Sequence, residues 1–154
     1  MRQSIDDKDL IILAMLQENG RVSYSDMARK LGISEAAVYT RVQKLLKNGY
    51  IKRFQAVLNE EKLGHGLAAF VSVRAHPSKY DNLLKSLASL EEVQEVHDVT
   101  GDYYCLVKLR TRDRDTLAKL LDEIGKLDGV VATETRIVLR TIKETNAIPL
   151  KKRS

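Results

Sequence analysis

A glycine at position 32, set between two short amphipathic stretches, limits this chain's fold more than any other feature. Ser23 is placed to cap a first helix, with Asp26 three residues on completing a capping box. Met27, Ala28 and Leu31 share that helix's inner face, and Gly32 ends it by taking a backbone conformation that a side chain penalises. Ile33 plugs the corner, and Ser34 caps a second helix whose Val38, Val42 and Leu45 recur at three- and four-residue steps. Glu35, Ala36, Tyr39, Thr40, Gln43, Lys44 and Lys47 are left facing outward. Small Ala28 lets the helices cross closely. The spacing Ala28, Gly32, Val38 is that of a helix-turn-helix that lays its second helix in a DNA major groove.

Any two short amphipathic helices joined by glycine share part of this pattern, so the neighbouring charge matters. From Arg29 to Arg53 the cations are Arg29, Lys30, Arg41, Lys44, Lys47, Lys52 and Arg53, against Glu35 as the single acid. That concentration favours DNA over a plain helical hairpin. On the second helix we expect Tyr39, Thr40 and Gln43 to face base edges, and Ser34, Arg41, Lys44 and Lys47 to hold phosphates. Glu35 and Ala36 complete the outward face.

The whole chain, at 154 residues with 44% hydrophobic and 31% charged, is long enough for two small cores. A net charge of +5 favours an anionic partner without naming one. The single cysteine excludes an internal disulfide, and we expect a cytoplasmic protein because no leader or long apolar run is present.

At the start, Asp6 and Asp9 read as another capping box, and Leu10, Leu13, Ala14 and Gln17 as the stripe of a helix ending at Asn19-Gly20. A turn at Asn48-Gly49 leads into an extended stretch with Ile51, Phe54 and Val57, expected to be a wing or connecting strand. The reading divides the chain into residues 1–50, a joint at 51–66, and a second domain at 67–154. In the second domain the order is strand, helix, strand, twice over: 67–74, a helix after Ser78, 93–99, then 103–111, a helix through Leu117 to Ile124, and 130–142. The fold class expected is α+β: an N-terminal three-helix helix-turn-helix domain, winged, followed by a ferredoxin-like split β-α-β domain of four antiparallel strands with two helices on one face. Leu106 and Val138 then fall on the uncovered sheet face among Lys108, Arg136 and Arg140. A second copy covers such a face most simply, and a helix-turn-helix needs a dimer to reach two half-sites, about 10 base pairs apart or a multiple of that.

The opening Ile5 to Leu13, the run Ala28 to Val42, its exit Leu45 to Ile51, Val99-Thr-Gly-Asp-Tyr103 and Thr133-Glu-Thr135 resemble the leucine-responsive/asparagine regulators of bacteria and archaea over nearly the whole length. The resemblance implies a homodimer, often assembled into tetramers or an octameric ring, that binds promoter DNA and senses an amino acid through its C-terminal domain. Tyr104 departs from the small or acidic residue that the family often has beside its ligand loop. The effector site is expected at Gly101, Asp102 and Tyr103 with Thr133 and Thr135. Gly101 admits a carboxylate to backbone amides, Asp102 partners an ammonium, and the two threonines share a face. Thr-Gly-Asp is also a common tight turn and threonine is ordinary in strands, so the residues alone divide evenly and the resemblance decides.

No catalytic residue, metal site or cofactor is expected. His65, His76 and His97 lack paired ligand spacing with Cys105, which reads as a small core residue, and Gly64-His-Gly66 is a joint and no phosphate loop. The tail Lys151-Lys-Arg153 reads as a solvated terminus. The reading is a transcription regulator. A sequence-neutral architectural DNA protein and a small-molecule-binding domain without DNA binding are the alternatives. Near-equal affinity for all duplexes marks the first, and ligand binding without DNA binding marks the second.

Overall fold

The computed structural model describes residues 5–150. Contacts divide the chain into two compact units, Met1–Val57 with Glu144–Ser154, and Leu58–Lys143. The tail therefore differs from the boundary drawn on sequence. Residues 144–150 join the first unit, where the Gln17 side-chain amide donates to the Ile148 carbonyl at 3.0 Å and accepts from the Ile148 amide at 2.8 Å.

The first unit holds α1 (Asp7–Glu18), α2 (Tyr24–Leu31) and α3 (Glu35–Lys47). Short-range signals start each helix. Asp6 and Asp9 exchange both capping-box bonds at 2.8 and 3.1 Å. Ser23 accepts from the Asp26 amide at 3.0 Å, and Ser34 from the Ala37 amide at 3.1 Å. Gly32 closes α2 at φ 63°, in the left-handed region where a Cβ is penalised. Ile12, Met27, Ala28, Val38, Val42 and Leu45 form the core. The stripe expected on α1 is displaced: Ile12 is its fully buried residue, whereas Ala14 and Gln17 are exposed. A helix apolar at seven of its twelve positions has no unique stripe, and its neighbours choose the face. Residues 51–59 pair with no strand among the described residues, and Phe54 and Val57 are exposed.

The second unit contains β1 (Leu67–Ala75), a 3-10 turn (Pro77–Lys79), α4 (Tyr80–Ala88), β2 (Val93–Asp98), β3 (Cys105–Thr111), α5 (Arg114–Gly125) and β4 (Val130–Ile137). The strands lie in the order β2-β3-β1-β4, every neighbour antiparallel. Val71, Val73, Val107 and Leu109 on one face pack with Leu83 and Leu87 of α4 and with Leu117, Leu120 and Ile124 of α5. Burial of each such side chain contributes about 1.5–3 kcal/mol, so this two-layer packing dominates the unit. Two strands are shorter than expected. β3 begins at Cys105 because the Val99 amide bonds the Tyr104 carbonyl at 2.9 Å and closes residues 99–104 into a loop. β4 ends at Ile137, which pairs with Ala69, two residues from the start of β1; a last bond from the Val138 amide to the Ala68 carbonyl finishes the ladder.

Candidate DNA interface and effector loop

On α3, Ser34, Glu35, Ala36, Tyr39, Thr40, Gln43, Lys44 and Lys47 are all exposed, as their spacing requires. Three of them are already engaged locally. The Ser34 hydroxyl accepts the cap bond from the Ala37 amide. Thr40 donates its hydroxyl to the Ala36 carbonyl at 3.0 Å, which leaves its oxygen lone pairs as the acceptor it can offer outward. Tyr39 packs edge-on against Tyr24 of α2, with ring centroids 6.0 Å apart, and still exposes 53% of its surface.

Arg41 has partners inside the first unit. Its guanidinium turns back from the outward face and bonds Asp6 at 2.8 Å and Asp9 at 2.7 Å. Asp9, 12% exposed in its side chain, requires a charge partner there, and Arg41, itself 31% exposed, supplies it. The neighbouring acids hold the Arg41 pKa above its ordinary value, chiefly through the Asp9 bond. The Asp6 carboxyl is held below its ordinary range, first by the Asp9 backbone amide and then by Arg41 against the opposing effect of burial. A separation of 32 and 35 residues explains why no local signal exposed this pairing. Tyr24 was also missed, since a half-buried aromatic at the first turn of α2 looks like core.

In the second unit, Gly101 takes φ 118°, which carries the loop through its corner, and Asp102 beside it is exposed. Tyr104 braces this loop. Its ring lies edge-on to Tyr80 at 5.0 Å, and its hydroxyl donates to the Ala75 carbonyl. Tyr80 in turn donates to Asp98 and bonds the Tyr104 carbonyl at 3.0 Å. Burial first, and the Asp98 bond second, push the Tyr80 phenol far above its ordinary range, so it stays a proton donor. Tyr104 thus ties the loop to the end of β1. Tyr103 lies under the Arg74 guanidinium, 5.6 Å from the ring centroid. Thr133 and Thr135 pair with Val73 and Val71 and therefore belong to the helix-covered face. One protomer brings loop and threonines to the same end of the sheet without enclosing them, since Gly101, Asp102 and Thr133 are all exposed. Cys105 is fully buried in the core, and burial raises its thiol pKa. No group of three or more metal-ligating side chains occurs among the described residues.

Residues 68–148 match the family model described as the Lrp/AsnC ligand binding domain, and residues 5–52 match a winged helix-turn-helix DNA-binding model. The chain belongs to the Lrp/AsnC family. It is 38% identical over 151 residues, covering 98% of this chain and 100% of the relative, to the HTH-type transcriptional regulator FL11 of Pyrococcus abyssi. Among solved structures, E. coli AsnC superposes with a TM-score of 0.88 at 30% identity, covering 95% of this chain and 99% of that one. A transcriptional regulator of Neisseria meningitidis in complex with L-Met gives 0.88 at 27% identity, with 96% and 97% covered. The protein is accordingly a DNA-binding transcription regulator with a ligand-binding domain, and its relatives are regulators, not enzymes. Among the described residues no helix is long and apolar enough to cross a membrane.

Proposed function

We propose that this regulator is a cytoplasmic homodimer, able to assemble further into tetramers or octamers, whose hold on promoter DNA changes when an amino acid binds its second unit. The observation that carries the reading is the braced loop at Gly101, Asp102 and Tyr103: a glycine corner at φ 118° beside an exposed carboxylate, where no Cβ at Gly101 blocks approach to the backbone amides. A zwitterion needs that pairing, a donor set for its carboxylate and an anion for its ammonium. The neighbour solved with L-Met supports the ligand class. Thr133 and Thr135 add hydroxyls from β4, and a second copy at this end of the sheet supplies the enclosure that a single protomer lacks. A ligand changes assembly only through its different affinity for the two states, so oligomer size and DNA affinity should shift together.

A thermal-shift screen of the twenty amino acids tests this reading. At least one should raise the melting temperature of the parent, and Asp102→Ala should abolish the response. Silence across the whole screen, or an undiminished response in Asp102→Ala, rejects the site.

At the DNA, Tyr39, Thr40 and Gln43 read base edges while Ser34, Lys44 and Lys47 hold phosphates. Gln43→Ala should relax sequence choice, whereas Lys47→Ala should weaken all duplexes alike and lower the salt slope by about one unit. A salt titration that leaves the Lys47→Ala slope at the parental value removes Lys47 from the phosphate contacts.

A further inference from the structure

Tyr39 is the single aromatic in α3, and α3 does little to fix it. On the exposed face its neighbour one turn back is the small Ala36, and one turn on is the unbranched Gln43. A ring so placed, more than half exposed, samples several rotamers unless something outside the helix holds it. Tyr24 is that support. It is the first helical residue of α2, behind a cap in which Ser23 bonds the Asp26 amide at 3.0 Å and the Asp26 carboxylate at 2.7 Å, so its backbone is fixed. Its side chain is half-buried against the three-helix core. The two rings meet at 74°, the edge-to-face geometry that aromatic quadrupoles favour.

We propose that Tyr24 is a positioning residue for base recognition: anchored in the core, it holds the Tyr39 ring in one orientation on the DNA face and thereby sets which base pair Tyr39 prefers. The inference rests on the reading that Tyr39 faces base edges. Restricting a side chain before binding removes an ordering cost of about two- to tenfold in affinity per side chain. That gain applies only to the duplex whose base edge matches the held ring, so it emerges as selectivity. Tyr24 acts through its ring and needs no hydroxyl contact to DNA.

The test is selection of bound sequences by the full-length parent and by Tyr39→Ala, Tyr24→Leu, Tyr24→Met and Tyr24→Phe, with salt titrations and melting curves for each. Tyr39→Ala should flatten preference at one base pair in each half-site by about tenfold. Tyr24→Leu should flatten the same base pair by about two- to fivefold with an unchanged salt slope. Added to Tyr39→Ala, it should do nothing further. Tyr24→Phe, which keeps the ring, should retain the parental preference, and Tyr24→Met gives the same readout as Tyr24→Leu should leucine fold poorly. If Tyr39→Ala changes no base preference, the base-contact reading fails and the inference falls with it. If Tyr39→Ala flattens a base pair but Tyr24→Leu and Tyr24→Met weaken all duplexes equally, the positioning role alone fails. Equal damage from Tyr24→Phe also overturns it, in favour of a hydroxyl contact.

Discussion

Phe70→Glu is expected to give a folded monomer that binds a two-half-site operator about two to four orders of magnitude more weakly while binding a single half-site normally. Phe70 stands on the sheet face away from the helices, in register with Lys108 on β3 and Arg136 on β4. A carboxylate at this position is compatible with those cations in one copy, so the unit stays folded. Two facing copies would bring the new charges into a shared low-dielectric layer, where unpaired charge is costly. The face is half-buried at Phe70 and Leu106 and ringed by bonded charge, with Lys108 to Glu95 at 3.4 Å and Arg136 to Ser72 at 3.3 Å. The operator effect follows from lost tethering, because the second half-site no longer meets its module at high effective concentration. Sedimentation together with binding to one and two half-sites decides the matter. A variant that remains dimeric moves the interface elsewhere.

The second large effect is expected from Arg41→Ala. Asp9 then loses a partner at 2.7 Å while staying buried, and Asp6 loses one at 2.8 Å. Breaking a fully buried pair costs about 3–5 kcal/mol. With 31% of the Arg41 side chain and 52% of the Asp6 side chain exposed, about 2 kcal/mol is expected. Chemical denaturation should show that loss, and Asp9→Asn in the Arg41→Ala background should recover much of it by removing the stranded charge. The salt slope of DNA binding should stay at the parental value, which separates a clamp from a phosphate contact. Acid adds a further readout. The Asp6 pKa is lowered from 3.8 in the folded unit, so its contribution is complete above that pH and is lost as the pH falls through the lower folded value. Arg41→Ala should shrink this acid-sensitive part without abolishing it, since the Asp9 backbone amide is the larger cause.

What the sequence made legible was local. Asp6, Ser23 and Ser34 each begin a helix through a bond to a residue three positions on, and Gly32 ends one by its own φ. A change of hydrophobic period marked the sheet, and its two-layer topology followed. Features set by distant partners were not legible. The ends of β3 and β4 depend on where neighbouring strands stop, and the buried face of α1 depends on what α2 and α3 present. Arg41 looked like any outward cation until Asp9, 32 residues away, was packed beside it. At the effector loop the corner at Gly101 was readable, but the bracing by Tyr80 and Tyr104 joins groups 24 residues apart in sequence.

The return of residues 144–150 to the first unit rests on one side chain. Because Glu144–Ser154 rejoins Met1–Val57, the backbone passes between the units twice, once after Val57 and once after Lys143. After the second crossing Ile148 makes two exposed bonds to Gln17, each worth roughly 1 kcal/mol. Both bonds use the two ends of one side-chain amide, so a single substitution, Gln17→Ala, releases both at once.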